Sequence, residues 1–143
     1  MSPECTSTAL RNAASCGFSS KVNACCANAL DALREPEKCG LTGTYRLITL
    51  TPPYEEVSYP ELIDAVCNSP LVAPDSVVVI EYPVEMKCLD YVLGGDKLFG
   101  VRNRRYGRTV LAMYVYRPTQ EYDLRPAEFI VVEPQAAVRR RER

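Results

Sequence analysis

The stretch LITLTPPYEEVSY, Leu47 to Tyr59, runs from an apolar strand-like segment into a helix start within a few residues. The strand candidate is Tyr45 to Leu50, and Thr51-Pro52-Pro53-Tyr54 follows it at once. Each proline fixes φ and removes a backbone donor, so the chain leaves the strand in a stiff turn with its carbonyls pointing outward. Ser58 and Glu61 have the spacing of a reciprocal capping box, Pro60 sits in the first turn, and Val57 and Leu62 flank the cap as a hydrophobic staple. These signals predict a helix over Tyr59 to Asn68. A turn held at both ends, at the carboxyl end of a strand, is where open α/β sheets place ligands.

The corner's chemistry is acceptor-rich. Thr51 Oγ and the Pro52 carbonyl suit the N–H bonds of an exocyclic amino group, and Tyr54 can stack on the ring that carries it. The plainer alternative is a turn, or a short polyproline segment for a WW-type domain. Three residues alone do not choose between them.

Upstream, Ser2-Pro3-Glu4 marks a helix start that should run through Leu10, Ala13 and Ala14 and stop at Gly17. Lys21 to Cys26 is a short strand candidate, Asn28 to Arg34 a second short helix ending before Pro36, and Glu35 to Thr44 a loop. Downstream, Pro70 to Asp75 connects to Ser76 to Tyr82, in which Val77-Val78-Val79-Ile80 predicts a central strand buried on both faces. Glu81 lies at its carboxyl end. A helix is expected from Val84 to Leu93, stopped by Gly94-Gly95, and then a hairpin, Lys97 to Arg105 and Thr109 to Tyr116, around Tyr106-Gly107. The second hairpin strand is apolar on both faces, which predicts that helices cover it. The pattern is α/β, a three-layer sheet closing on an antiparallel hairpin. Residues 118–143, ending in Arg139-Arg140-Arg141-Glu142-Arg143, read as a polar, basic, partly disordered tail to a domain spanning 1–117.

Composition narrows the chemistry. The 143 residues are one domain's worth, with 47% hydrophobic and 24% charged residues and a net charge of −1, so no overall basic field advertises nucleic acid. No apolar run approaches a bilayer span, and the amino terminus has no signal pattern. Seven scattered cysteines without a C-x-x-C, and no histidine, argue against a zinc site or disulfide framework and for a reducing, intracellular setting. Without histidine, Ser/His/Asp and Cys/His catalysis is excluded.

Together TPPYEE, VVVIEYP and GVRNRRYGRTVLAMYVY, in that order and spacing over Met1 to about Pro118, resemble the RsmD family of 16S rRNA guanine-N2 methyltransferases in its plant and algal form. The resemblance implies a Rossmann-like fold, S-adenosylmethionine (SAM) as cofactor, rRNA of the small ribosomal subunit as partner, and no membrane or metal. It implies catalytic roles for Thr51, Pro52, Pro53 and Tyr54, with threonine where the family has Asn, Asp or Ser. Asn28 falls where relatives accept the cofactor's adenine amino group, and Glu81, Arg104 and Arg105 match positions of the family pattern. Arg102, Arg104, Arg105 and Arg108 are candidates for rRNA phosphates, or else a charged hairpin edge that blocks sheet extension. Glu81 is a substrate contact, a helix cap or a partner of a hairpin arginine.

The chain departs from the family in one large respect. It contains no Gly-x-Gly, and Met1-Ser2-Pro3 aligns just past the family's second strand. The first strands are therefore expected to be absent, the sheet incomplete, and the chain a truncated or mis-started product or one piece of a split enzyme that alone binds SAM poorly or not at all. The competing expectation is a non-catalytic α/β remnant that binds RNA or a partner. For a plant or alga the resemblance implies a plastid, otherwise the cytoplasm.

Overall fold

A computed structural model describes residues 2–130. The helix Pro3–Ser15 (α1) starts at Ser2 and closes at Gly17, whose φ of 76° completes the expected left-handed stop. The helix Ala29–Arg34 (α2) follows, then a 3-10 turn at Pro36–Cys39, the strand Tyr45–Leu50 (β1) and the helix Tyr59–Cys67 (α3). Next come the strands Val72–Pro83 (β2), Val92–Leu93 (β3), Leu98–Tyr106 (β4) and Thr109–Tyr116 (β5), and a 3-10 turn at Pro126–Phe129. The five strands form one sheet in the order β1-β2-β5-β4-β3, with β1 and β2 parallel and β4 and β5 the antiparallel hairpin. This is the expected α/β sheet, an incomplete Rossmann-like arrangement closing on a hairpin.

The core forms on one face. Leu62, Ile63, Ala65, Val66 and Cys67 of α3 and Leu33 of α2 pack with Leu50, Val78, Ile80, Tyr82, Ala112 and Tyr114 of the sheet. The run of β-branched residues in β2 predicted burial on both faces. Instead burial alternates: Ser76, Val78, Ile80 and Tyr82 are buried, whereas Val77, Val79 and Glu81 are half-buried. Leu111 and Met113 of β5 share that second face and are also half-buried, while Val115, opposite Val77, is fully buried on it. Both helices that bury side chains pack into the same core, and α1 buries none, so the second face has no helix layer of its own among the described residues.

Three further expectations are corrected. Residues 21–26 form no strand. The outer edge of β1 pairs with nothing among the described residues, Leu47 is 60% exposed there, and Asn23 instead donates to the Gly40 carbonyl at 3.4 Å. Residues 84–93 form no α-helix. A single 3-10 turn, Val84–Met86, ends at Lys87 with φ of 67°, and the chain is drawn onto the sheet, where the Tyr114 hydroxyl donates to the Asp90 carbonyl at 2.9 Å and Leu89 is buried. The strand β2 begins before Ser76, because a register shift opposite Tyr45 absorbs Asp75 (φ 66°) and the Ser76 hydroxyl donates to the Tyr45 carbonyl at 2.7 Å.

The last strand ends at Tyr116, but packing against the sheet continues past Arg117. Asp75 accepts from the Thr119 amide at 2.9 Å and from the Tyr122 hydroxyl at 3.1 Å, and the Arg125 amide donates to the Gly100 carbonyl at 3.1 Å. Phe129 is buried against Tyr114, with ring centroids 5.3 Å apart, and Tyr91. Residues 118–130 are thus a strap that closes the core. Arg139 to Arg143 lie outside the described residues.

Candidate functional site

The corner stands where the sequence puts it, at the carboxyl tip of β1. Leu50 with Ile80 is the last pair of the parallel ladder, and Thr51 and Glu81 are the residues that follow it on the two neighbouring chains. The Glu56 amide donates to the Pro53 carbonyl at 3.2 Å and closes the turn. The Thr51 hydroxyl and the Pro52 carbonyl make no hydrogen bond among the described residues, and both residues line the cavity described next. Val57 packs on the core and Leu62 is buried, as a staple requires, but Ser58 makes no side-chain cap. Glu61 is drawn away by Arg34, at 2.9 Å, which ties α2 to α3 in place of the predicted capping box.

A cavity of about 540 Å³ opens beside the corner, and Thr51, Pro52 and Pro53 line it together with Asn28, Thr49 and Leu62. The Asn28 side chain accepts from the Leu30 amide at 2.9 Å, so its first task is to cap α2. It reaches the cavity as part of that cap, not as a free acceptor.

Tyr54 does not line this cavity. Its hydroxyl donates to Glu81 Oε1 at 2.6 Å and lies 2.9 Å from Thr109 Oγ1, with the residue 36% exposed. Glu81 alternates with the buried Ile80 and Tyr82, so it rises on the half-covered face of the sheet. The tyrosine therefore reaches past the tip of β2 and is pinned from two sides. Among the described residues Glu81 is neither a helix cap nor an arginine partner, two roles the sequence had allowed. Its carboxylate holds Tyr54, and its backbone carbonyl accepts from the Tyr59 hydroxyl at 3.0 Å. Burial pushes that Tyr59 hydroxyl up to about 12. Thr109 was not anticipated, because only the β2–β5 register, which sets it opposite Pro83, shows that it stands near Glu81.

The Glu81 carboxylate favours the protonated phenol and raises the Tyr54 pKa above its ordinary value, while Thr109 acts in the opposite direction. Removing the carboxylate charge with Glu81→Gln should therefore lower the pH at which Tyr54 ionises, and Thr109→Val should raise it. The difference in phenolate absorbance between each variant and its Tyr54→Phe counterpart measures this. Unchanged titration in both variants would mean the bonds do not form in solution.

The hairpin arginines are occupied within the chain. Arg102 pairs with Asp123 at 2.9 Å, Arg104 with Glu128 at 3.2 Å and Arg108 with Glu85, and Arg105 Nε donates to the Gly107 carbonyl at 2.8 Å. None of them lines the cavity. Their first role is to fasten the strap and the hairpin turn.

The family described as "Conserved hypothetical protein 95" matches residues 1–115. The chain belongs to that family. Among solved structures, a conserved hypothetical protein of Streptococcus pyogenes superposes with a TM-score of 0.68 at 20% identity, covering 80% of this chain and 67% of its own. The yhhF protein of Escherichia coli, described as a candidate methyltransferase, superposes with a TM-score of 0.67 at 17% identity, covering 84% of this chain and 62% of its own. No curated protein sequence matches. The chain thus spans about two thirds of the length of these two structures and shares their fold.

Proposed function

We propose that this chain carries the base-binding corner of a SAM-dependent methyltransferase that acts on the N2 amine of a guanine in ribosomal RNA of the small subunit. One observation carries the reading. A diproline corner at a strand tip presents two unpartnered oxygen acceptors, Thr51 Oγ and the Pro52 carbonyl, between a cavity on one side and an anchored tyrosine ring on the other.

The residues present fit one wall of a nucleoside cofactor. Asn28, Thr49 and Thr51 supply polar groups over an apolar floor of Leu30, Leu50 and Leu62, but no glycine lines the cavity to offer a run of close backbone donors. When bound, SAM supplies an electrophilic methyl group. The chain's own residues do the positioning. Thr51 and Pro52 take the amine's hydrogens, which turns the nitrogen lone pair toward the cavity, and Tyr54 stacks on the base. No strong base is required of the protein, since methylation itself makes the nitrogen acidic. Arg105 and Arg108 are exposed, and a surface pair such as Arg108 with Glu85 is weak enough to exchange for a phosphate.

Two measurements test this. Isothermal titration of the chain with SAM should give a dissociation constant weaker than about 10 µM, as expected of one wall without a phosphate-type nest; micromolar or tighter binding would show that the cavity suffices. At millimolar SAM bearing a tritiated methyl, label transferred to small-subunit rRNA should be recovered as N2-methylguanosine. Label in another nucleoside, or none, would overturn the reading.

A further inference from the structure

We propose that Glu81 reads the base, accepting the ring N1–H of the purine whose exocyclic amine lies on the Thr51–Pro52 ledge. This rests on the nucleobase reading above and names the residue that makes it selective for guanine. The Tyr54 hydroxyl occupies one carboxylate oxygen of Glu81. The other has no hydrogen-bond partner among the described residues, and because no buried side-chain polar atom among them lacks one, that oxygen lies where solvent reaches it. No lysine or arginine forms a salt bridge with it among the described residues.

Thr51 and Glu81 each follow the last register pair, Leu50 with Ile80, of two strands that run about 4.8 Å apart. Thr51 Oγ, the Pro52 carbonyl and the free Glu81 oxygen then form a rim that accepts and, apart from the rotatable threonine hydroxyl, does not donate. Two prolines in the corner remove the backbone N–H groups that would otherwise interrupt it. Guanine is the base whose Watson–Crick edge offers two adjacent donors, N1–H and the N2 amine. Adenine and cytosine each place an acceptor nitrogen next to their amine, which a carboxylate repels. Thr109 serves as a positioning residue: it holds the phenol, and the phenol holds the carboxylate in one orientation.

The test uses the full chain and short single-stranded RNAs that carry one guanine or, in its place, one 2-aminopurine, which keeps the 2-amine but has a lone pair at N1. Fluorescence quenching of 2-aminopurine reports stacking, and competition gives the guanine affinity. The wild type should prefer guanine by about tenfold or more. Glu81→Gln, which leaves an amide donor facing the base, should erase or reverse the preference, and Glu81→Asp, still only an acceptor, should keep it at lower affinity. Thr109→Val should weaken the guanine RNA more than the 2-aminopurine RNA and so narrow the preference, and equal weakening of both would remove its positioning role. A wild-type chain without preference, or Glu81→Gln with the wild-type preference, overturns the assignment of Glu81 alone. Failure of both RNAs to bind removes the nucleobase reading and this inference with it.

Discussion

Phe129→Ala is expected to lower the free energy of unfolding by about 3 to 5 kcal/mol, the usual loss for truncating a buried aromatic. Its ring is 7% exposed, tilted on Tyr114 and edge-on to Tyr91, and it lies over Gly100 so closely that a Cβ there would stand 2.4 Å from the Phe129 ring. No alanine fits under that ring. Gly100→Ala should therefore destabilise by about 1 to 3 kcal/mol through overpacking alone. The two changes should not add, because shaving the ring makes the room that the methyl needs. Urea denaturation of the two single variants and the double variant forms the cycle, and a double variant as unstable as the sum would show that the strap does not rest on β4 in solution.

The largest functional effect is expected at Tyr54. Tyr54→Ala removes the ring on which the base stacks, worth about 1 to 3 kcal/mol, and should lower methyl transfer by roughly 10- to 100-fold with little change in SAM affinity. The tyrosine is not part of the cavity lining, and that is why the two effects should separate. Tyr54→Phe keeps the ring and releases both anchors, so it should fall between the wild type and alanine. Steady-state rates alongside SAM titration decide the matter. Equal losses of rate and SAM affinity in Tyr54→Ala would mean that the residue props up the corner instead of holding a base.

The sequence was most legible where local signals agree. Tyr45 to Leu50, the two prolines and Pro60 each restrict the backbone by themselves, so strand, corner and helix start could be read in one pass, and Gly107 marked the hairpin turn in the same way. Where distant partners decide the outcome, local reading failed. The run from Val84 looked helical, but Tyr114 and Asn103 capture the backbone and thiol of Asp90 and Cys88, and no local propensity reports that competition. Val77 to Ile80 looked doubly buried, since residue type states what burial a strand tolerates and not which layers arrive to cover it. The strap looked like a tail because its anchors, Asp75 and Gly100, lie tens of residues earlier. Type and spacing placed Thr51, Pro52 and Pro53 at the strand tip, where they line the cavity. The Tyr54, Glu81 and Thr109 cluster needs three segments in register, and the arginine pairs needed the strap.

The diproline corner also governs how the site can be watched. Pro52 and Pro53 carry no amide hydrogen, so deuterium-uptake maps and amide-detected spectra are blank at the two residues nearest the proposed chemistry. A ligand seated there would announce itself only through its neighbours, and a fluorinated or carbon-labelled Tyr54 is the reporter this geometry calls for.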